Sequence, residues 1–329
     1  MAGVSTATVS YVVNGGPKPV AAETKARVLR AIEQLDYVPN DYARSLKGVG
    51  SSTIGYLVPN IRNPFFAEMT SAFNKALRQR GYQLVLADLD DDPSREAEYL
   101  ELFRKKDVDG VVAWQIASSE SMIDFLSSKA IPFALIATRH PKACSAVVDE
   151  KGAAEITVAH LKALGHRRIG YVGPGDQERF PQSRLPFIQK ALTSAGLPSS
   201  RDIFYDTSTS GGWTYATQRL IGAAERPTAA IVHNDDLAIR IVAHLMDLGF
   251  KVPEDISILS YDDLDISRYT KVPLTSIGYS KEELGRIAIE LVLRQIEGAD
   301  VGHSVVEVPV ELIVRDSTGK PPAAANPAA

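Results

Sequence analysis

One cysteine, Cys144, in 329 residues excludes an internal disulfide framework and fits a reducing compartment. No window approaches the roughly eighteen consecutive apolar residues that a membrane span requires. The opening Met-Ala-Gly-Val-Ser has neither the basic flank nor the apolar run of a secretion signal, so the expected location is the cytoplasm. Six histidines show no metal-ligand spacing, and no nucleophile–base signature appears. The sequence therefore makes no case for an enzyme, a bound metal or a cofactor. "GYVGPGD" (170–176) lacks the glycine spacing of a dinucleotide loop, and Pro174 breaks the turn. The acidic run "DLDDD" (88–92) reads as a solvated loop.

A net positive charge is also lacking, since 40 acidic residues outnumber 36 basic ones for a net charge of -4, which argues against indiscriminate coating of nucleic acid. It is unevenly placed. Residues 1–50 carry a net +2 and the rest -6, a mild asymmetry compatible with a front end that faces DNA.

That front is short and helical. Ser5 is placed to cap a helix through Val9 and Val12, and Asn14-Gly15-Gly16-Pro17 stops it. A second helix starts near Ala22 or Glu23, with Val28, Ala31, Ile32 and Leu35 on one face. A third segment, Asp41 to Lys47, is too short to hold a helix alone in water. It reads either as a plain linker or as a helix completed by a partner.

From Thr53 the rhythm changes. Apolar, β-branched runs recur ("TIGYLVP", "QLVLADL", "GVVAWQI", "FALIAT", "AVVD", "RIGYVGP", "AAIVHN", "ISILSYD") with amphipathic stretches between most of them. Continuous apolar strands alternating with helices mean parallel sheets covered on both faces. "TIGYLVP" (53–59) returns as "RIGYVGP" (168–174), and each opens a new βα series, which suggests two similar doubly wound lobes with a cleft between them. The closing "GKPPAAANPAA" is low-complexity, and residues 317–329 are expected to be a disordered tail.

Ser5, Thr6 and Thr8 are suited to phosphates or base edges, and Ala7 to a thymine methyl. A Ser/Thr-rich surface helix explains the same residues. In "YARSLKG" (42–48), Leu46 could enter a minor-groove step with Arg44 and Lys47 on phosphates.

Together "GVSTATVSYVVNG", "ETKARVLRAIEQLDYVPN", "ARSLKG" and "TIGYLVPNIRNPFFAE" closely resemble the lac repressor (LacI-type) family of bacterial transcription regulators. The resemblance continues through "ALGHRRIGYVGP", "HNDDLAI", "GFKVPEDISILSYDD", "PLTSIGYSKEELGRIAIELVL" and "VPVELIVRDST". It implies an all-α helix-turn-helix headpiece (1–48) with a hinge helix (41–47) that orders on operator DNA. The implied core (53–316) is an α/β, type I periplasmic-binding-protein-like body, with lobe 1 over about 53–148 plus 279–304 and lobe 2 over about 149–277 plus 305–316. The implied partners are operator DNA, a second or further copy of the chain (homodimer or tetramer) and a small sugar-like effector. DNA contacts are implied at Ser5, Thr6, Ala7, Thr8, Ser10, Tyr11, Ala43, Arg44, Leu46 and Lys47.

Two departures stand out. The family has another helix, beginning about eight to ten residues before "AGVS", as the first half of the helix-turn-helix, and here only Met1 precedes that stretch. A misassigned start is the expected reason; as written, the headpiece is truncated. Tyr11 stands where the family usually has arginine, which points to a different operator sequence.

Ligands of doubly wound folds sit beyond the carboxyl ends of the strands. The candidates there are Phe65 and Phe66 after the first run, Trp114, Asp149, Asn234, Asp262, Arg184 opening a helix, and Tyr279. Aromatic faces suit a sugar's C–H surface, and carboxylate, amide and guanidinium suit its hydroxyls. The resemblance places these positions in the effector site, together with Thr207, where relatives often carry an aromatic. Each has a plainer reading: core for Phe65, Phe66 and Trp114, helix caps for Asn234 and Asp262. The expected function is a ligand-responsive regulator, a repressor by preference. The alternative is a cytoplasmic solute-binding or sensor protein that no longer binds DNA.

Overall fold

The computed structural model describes residues 2–14, 19–35, 51–106, 108–114, 119–175, 183–200, 203–208 and 211–322. Their contacts divide the chain into two compact units, Met1–Ser51 and Ser52–Ala329.

In the first unit, α1 (Thr6–Asn14) starts where the cap places it: Ser5 Oγ accepts from the Thr8 amide at 3.2 Å. Ser5, Thr6 and Ala7 are exposed at its start, and Thr8, Ser10 and Tyr11 are partly buried. α2 (Ala22–Gln34) turns Val28, 1% exposed, inward. The expected hinge helix with Ala43, Arg44, Leu46 and Lys47 lies outside the described residues.

The second unit opens with β1 (Thr53–Val58), α3 (Pro64–Arg78), β2 (Gln83–Asp88), α4 (Glu96–Lys105), β3 (Gly110–Trp114), α5 (Ser119–Ser128), β4 (Phe133–Ile136) and β5 (Ser145–Val148). It continues with α6 (Glu150–Leu164), β6 (Ile169–Gly173), α7 (Leu185–Ser194), β7 (Phe204–Asp206), α8 (Gly212–Ile221), β8 (Ala229–Val232), α9 (Asp235–Asp247), β9 (Ser257–Tyr261) and β10 (Thr275–Gly278). It closes with α10 (Lys281–Ile296), β11 (Val305–Val308) and β12 (Glu311–Ile313). The strands form two six-stranded sheets, ordered β11-β5-β4-β3-β1-β2 and β12-β10-β9-β8-β6-β7. All pairings but the antiparallel β10–β12 are parallel, and β1 holds in one sheet the place β6 holds in the other.

The repeated "IGY" has a packing cause. A Cβ on Gly55 would stand 2.8 Å from the Phe103 ring, and one on Gly170 3.0 Å from the Tyr205 ring. Each glycine lets a buried aromatic approach the strand backbone, Phe103 from the covering helix α4 and Tyr205 from the neighbouring strand β7. α10 drives Leu284, Ala288 and Val292 into the first lobe's core although the chain reaches it from the second. Crossings between the lobes fall after β5, after β10 and between β11 and β12.

Two boundaries differ from expectation. Residues 305–308, assigned to the second lobe, pair with β5 in the first sheet, because α10, which precedes them, packs on β3, β4 and β5 and delivers the chain to that edge. The first residues of the expected disordered tail are fixed. Ser317 is fully buried; its Oγ accepts from the Thr275 amide at 2.8 Å and donates to the Ile258 carbonyl at 2.6 Å. Gly319 donates to Ser257 Oγ at 3.0 Å. These residues satisfy backbone groups of β9 and β10 that would otherwise be buried unpaired; residues 323–329 lie outside the described residues.

Gly55→Ala is expected to cost about 1–3 kcal/mol through overpacking against Phe103, read as a lower urea midpoint. Ser317→Ala is expected to cost a similar ~1–3 kcal/mol by stranding the Thr275 amide and the Ile258 carbonyl, read in the same titration.

Candidate effector cleft

Parallel sheets with the same winding present their strand ends to one another, and the side chains gathered there line a cavity of about 190 Å³. The first lobe supplies an aromatic wall. Asn63 caps α3 by accepting from the Phe65 amide at 3.0 Å, and Pro64 occupies the first turn, where its missing N–H costs nothing. This fixes Phe65 and Phe66 against Trp114 at the end of β3, edge to face, with ring centroids 5.2 and 5.4 Å away. Trp114 is both core and wall: it is 8% exposed, its Nε1 donates to the Tyr56 hydroxyl at 2.9 Å, and it lines the cavity.

The second lobe supplies the polar wall. Arg184 stands just before α7, whose first turn tolerates Pro186. Its Nε donates to both Glu150 oxygens at 3.2 and 3.0 Å. One terminal nitrogen reaches the His233 carbonyl at 2.5 Å, the other Asp262 Oδ1 at 3.4 Å. The guanidinium lies 4.6 Å from the Tyr261 ring centroid. Tyr279 donates its hydroxyl to Asp262 Oδ1 at 3.0 Å.

Burial works against the Arg184 charge, but Glu150 and Asp262 beside it hold its pKa well above the ordinary arginine value. Burial raises the Glu150 carboxyl, opposed by Arg184. Burial first, and then the Arg184 charge, push the His233 imidazole far below its usual range, so it is neutral at neutral pH. Burial followed by the Asp262 charge raises Tyr279, which keeps it a neutral donor. The cavity thus holds a guanidinium, three carboxylates (Asp91, Glu150 and Asp262), a phenol and an aromatic face. That set suits hydroxyl groups, which both donate and accept; a further anion would meet Glu150 and Asp262.

Of the residues singled out in the sequence, Phe65, Phe66, Trp114, Arg184, Asn234, Asp262 and Tyr279 line this cavity. Asn234 also caps α9, accepting from the Leu237 amide at 3.0 Å. Asp149 does not line it. Its carboxylate caps α6 through the Gly152 amide at 2.8 Å and borders an adjoining cavity of about 320 Å³. Thr207 lines neither cavity; its amide donates to the Gly173 carbonyl at 3.1 Å, continuing the β6–β7 ladder. Glu150, His233 and Asp91 went unrecognised; Asp91 belongs to the acidic run 88–92 that reads as a solvated loop, yet it lines the cavity. An acid in a helix's first turn reads as complementing the helix dipole, and only the fold aims Glu150 at Arg184. Among the described residues no group of three or more His, Cys, Asp or Glu is placed to hold a metal ion, and no helix is long and apolar enough to cross a membrane.

Beneath the polar wall lies a buried carboxylate. Asp235, the first residue of α9, accepts from Ser267 Oγ at 2.5 Å, Ser276 Oγ at 2.8 Å and the Leu264 amide at 2.8 Å, and also from Ser260. Burial outweighs these donors and pushes its pKa up to about 6.

Two family models match the chain: the lacI family of bacterial regulatory proteins over residues 1–40 and a periplasmic binding protein-like domain over 158–318. The HTH-type transcriptional repressor PurR of Haemophilus influenzae (strain PittEE) is 34% identical over 323 residues, 96% of each chain. A lac repressor dimer bound to operator and the anti-inducer ONPF superposes with a TM-score of 0.82 at 25% identity, over 97% of this chain and 96% of that one. A LacI family transcriptional regulator from Enterococcus faecium with bound ribose gives 0.70 at 28% identity, over 81% of this chain and 98% of that one.

Arg184→Met leaves two carboxylates without their cation and is expected to destabilise the core by about 3–5 kcal/mol, read as a lower urea midpoint. Asp235 titrates higher in the folded chain than unfolded, so the folded state holds the extra proton between these values. Its contribution is full below about pH 4 and falls as pH rises through about 6, by ~3 kcal/mol in all. Urea titrations across this range should show that slope in the parent and not in Asp235→Asn.

Proposed function

The chain belongs to the lacI family of bacterial regulatory proteins, and from its cleft we propose that it is a repressor released or engaged by a small, uncharged, hydroxyl-rich effector such as a sugar. The observation that carries the reading is the pairing, across one cavity, of the Phe65–Phe66–Trp114 wall with the Glu150–Arg184–Asp262 cluster. Stacking on C–H faces and hydrogen bonding to carboxylates and guanidinium are how polyols are held without charge. Ribose in the Enterococcus faecium relative is a ligand of this chemical kind.

DNA recognition is assigned to the first unit. The exposed start of α1, with Ser5, Thr6 and Ala7, enters the major groove, with Thr8, Ser10 and Tyr11 behind it. Leu46 is the minor-groove wedge, Ala43 belongs to the same DNA-contacting segment, and Arg44 and Lys47 meet phosphates. A second copy reads the other half of a near-palindromic operator. Val85 and Leu86 on the edge strand β2 and Ile266 and Tyr269 on the second lobe leave apolar side chains for such a copy to cover; Tyr269 is 70% exposed. The work is done in the cytoplasm, where operator DNA is. Effector binding favours one arrangement of the lobes, and the DNA-binding units of the pair respond.

A thermal-shift screen against D-ribose and a panel of hexoses and disaccharides tests the effector, since a ligand that prefers the folded state raises Tm. A rise of several degrees with at least one neutral sugar is expected, and it should vanish in Asp262→Asn; response only to anions would sink the reading. Gel retardation of promoter DNA tests the output, with Leu46→Ala expected to weaken specific binding at least about tenfold while leaving the sugar-induced shift in place.

A further inference from the structure

Asp262 is held in an unusual way. It has φ 100° and Asp263 has φ 42°, both in the left-handed region that non-glycine residues rarely occupy. Such a backbone persists only where its surroundings hold it. Part of the hold is internal to the second lobe: Asp235 accepts from the Leu264 amide, and Arg315 pairs with Asp263 at 2.6 Å.

The rest comes from the other lobe. Lys281 is the first residue of α10, and its ammonium donates to the Asp262 carbonyl at 2.6 Å and to the Asp263 carbonyl at 3.1 Å. Its third donor meets Glu68 Oε2, on α3, at 3.1 Å. The other Glu68 oxygen accepts from the Asp265 amide at 3.0 Å. All three N–H groups of the lysine and both oxygens of the glutamate are therefore engaged, and three of the four contacts cross the lobe boundary, to the Asp262 and Asp263 carbonyls and the Asp265 amide. The Lys281 side chain is only 12% exposed. The loop clamped from behind presents its Asp262 carboxylate, on the opposite side, to Arg184 and Tyr279 in the cleft.

We propose that Glu68 and Lys281 are positioning residues for the effector site, an interlobe latch through which closure of the lobes and presentation of the Asp262 carboxylate become one event. Parting the lobes would take Lys281 from both carbonyls and Glu68 from the Asp265 amide. The left-handed loop would lose its first-lobe support as the cleft opened. A ligand that bonds Asp262 therefore stabilises the closed arrangement beyond its own contacts, by favouring the loop geometry that the latch requires. This rests on the effector reading above for its purpose, but the latch itself is measurable without any ligand.

The test uses the full chain with spin labels at Glu98→Cys in the first lobe and Glu254→Cys in the second; both positions are exposed, and the native Cys144 is buried. Pulsed dipolar spectroscopy without ligand should give one narrow interlobe distance in the parent. Lys281→Met and Glu68→Gln should each add a longer, broader component, while Lys281→Arg, which keeps charged donors, should retain the narrow one. Circular dichroism establishes that each variant is folded. Unchanged distances in both Lys281→Met and Glu68→Gln overturn the latch, as does an Arg variant that opens as far as the Met one. D-ribose and the sugar panel form a separate arm. If no sugar binds the parent, the effector reading fails while the distance result still judges the latch. For a sugar that binds, Lys281→Met should lower affinity about tenfold and Lys281→Arg by less than about threefold.

Discussion

The cleft depends on one guanidinium kept charged where water is scarce. Arg184 would be costly to bury alone, and so would Glu150 or Asp262; each is tolerable because the others are within hydrogen-bond reach. The three come from three separate places: the start of α6, the start of α7 and the end of β9. Their meeting therefore requires the second sheet to be wound and registered correctly. The same cluster lines the cavity and leaves spare acceptors and donors toward it, which is what the proposed effector site would use.

The surrounding architecture keeps that cluster in place and ties it to the other lobe. Helix starts are used repeatedly for this. Asn63, Asp149 and Asn234 each cap a helix at the edge of the cleft, so the residues beside them are aimed with little freedom. Asp235 gathers four donors beneath the 262–264 turn, and Lys281 and Glu68 hold the turn from the opposite lobe. Three chain crossings link the lobes, after β5, after β10 and between β11 and β12.

Much of this was legible in the residues. The "IGY" echo announced two sheets, and in each copy the glycine makes room for a buried aromatic, Phe103 from helix α4 at Gly55 and Tyr205 from strand β7 at Gly170. The rule that ligands gather at the carboxyl ends of strands found Phe65, Trp114, Arg184 and Asp262, since sequence position relative to a strand end is local information. Thr207, placed in the site by the family resemblance, lines neither of the two cavities at the cleft; its backbone continues the β6–β7 ladder.

The sequence by itself determined the alternation of strands and helices, the helix starts at Ser5 and Asn63, the lack of a disulfide framework, and the aromatic and charged residues available at strand ends. These follow from neighbours along the chain. Only the tertiary structure decided that Glu150 and not Asp149 answers Arg184, that 305–308 completes the first sheet, that Ser317 is buried, and that Lys281 reaches Asp262 across the lobe boundary. Those choices depend on which unpaired backbone edge or uncompensated charge lies nearby in space, and pairing across tens or hundreds of residues leaves no periodic mark in the sequence.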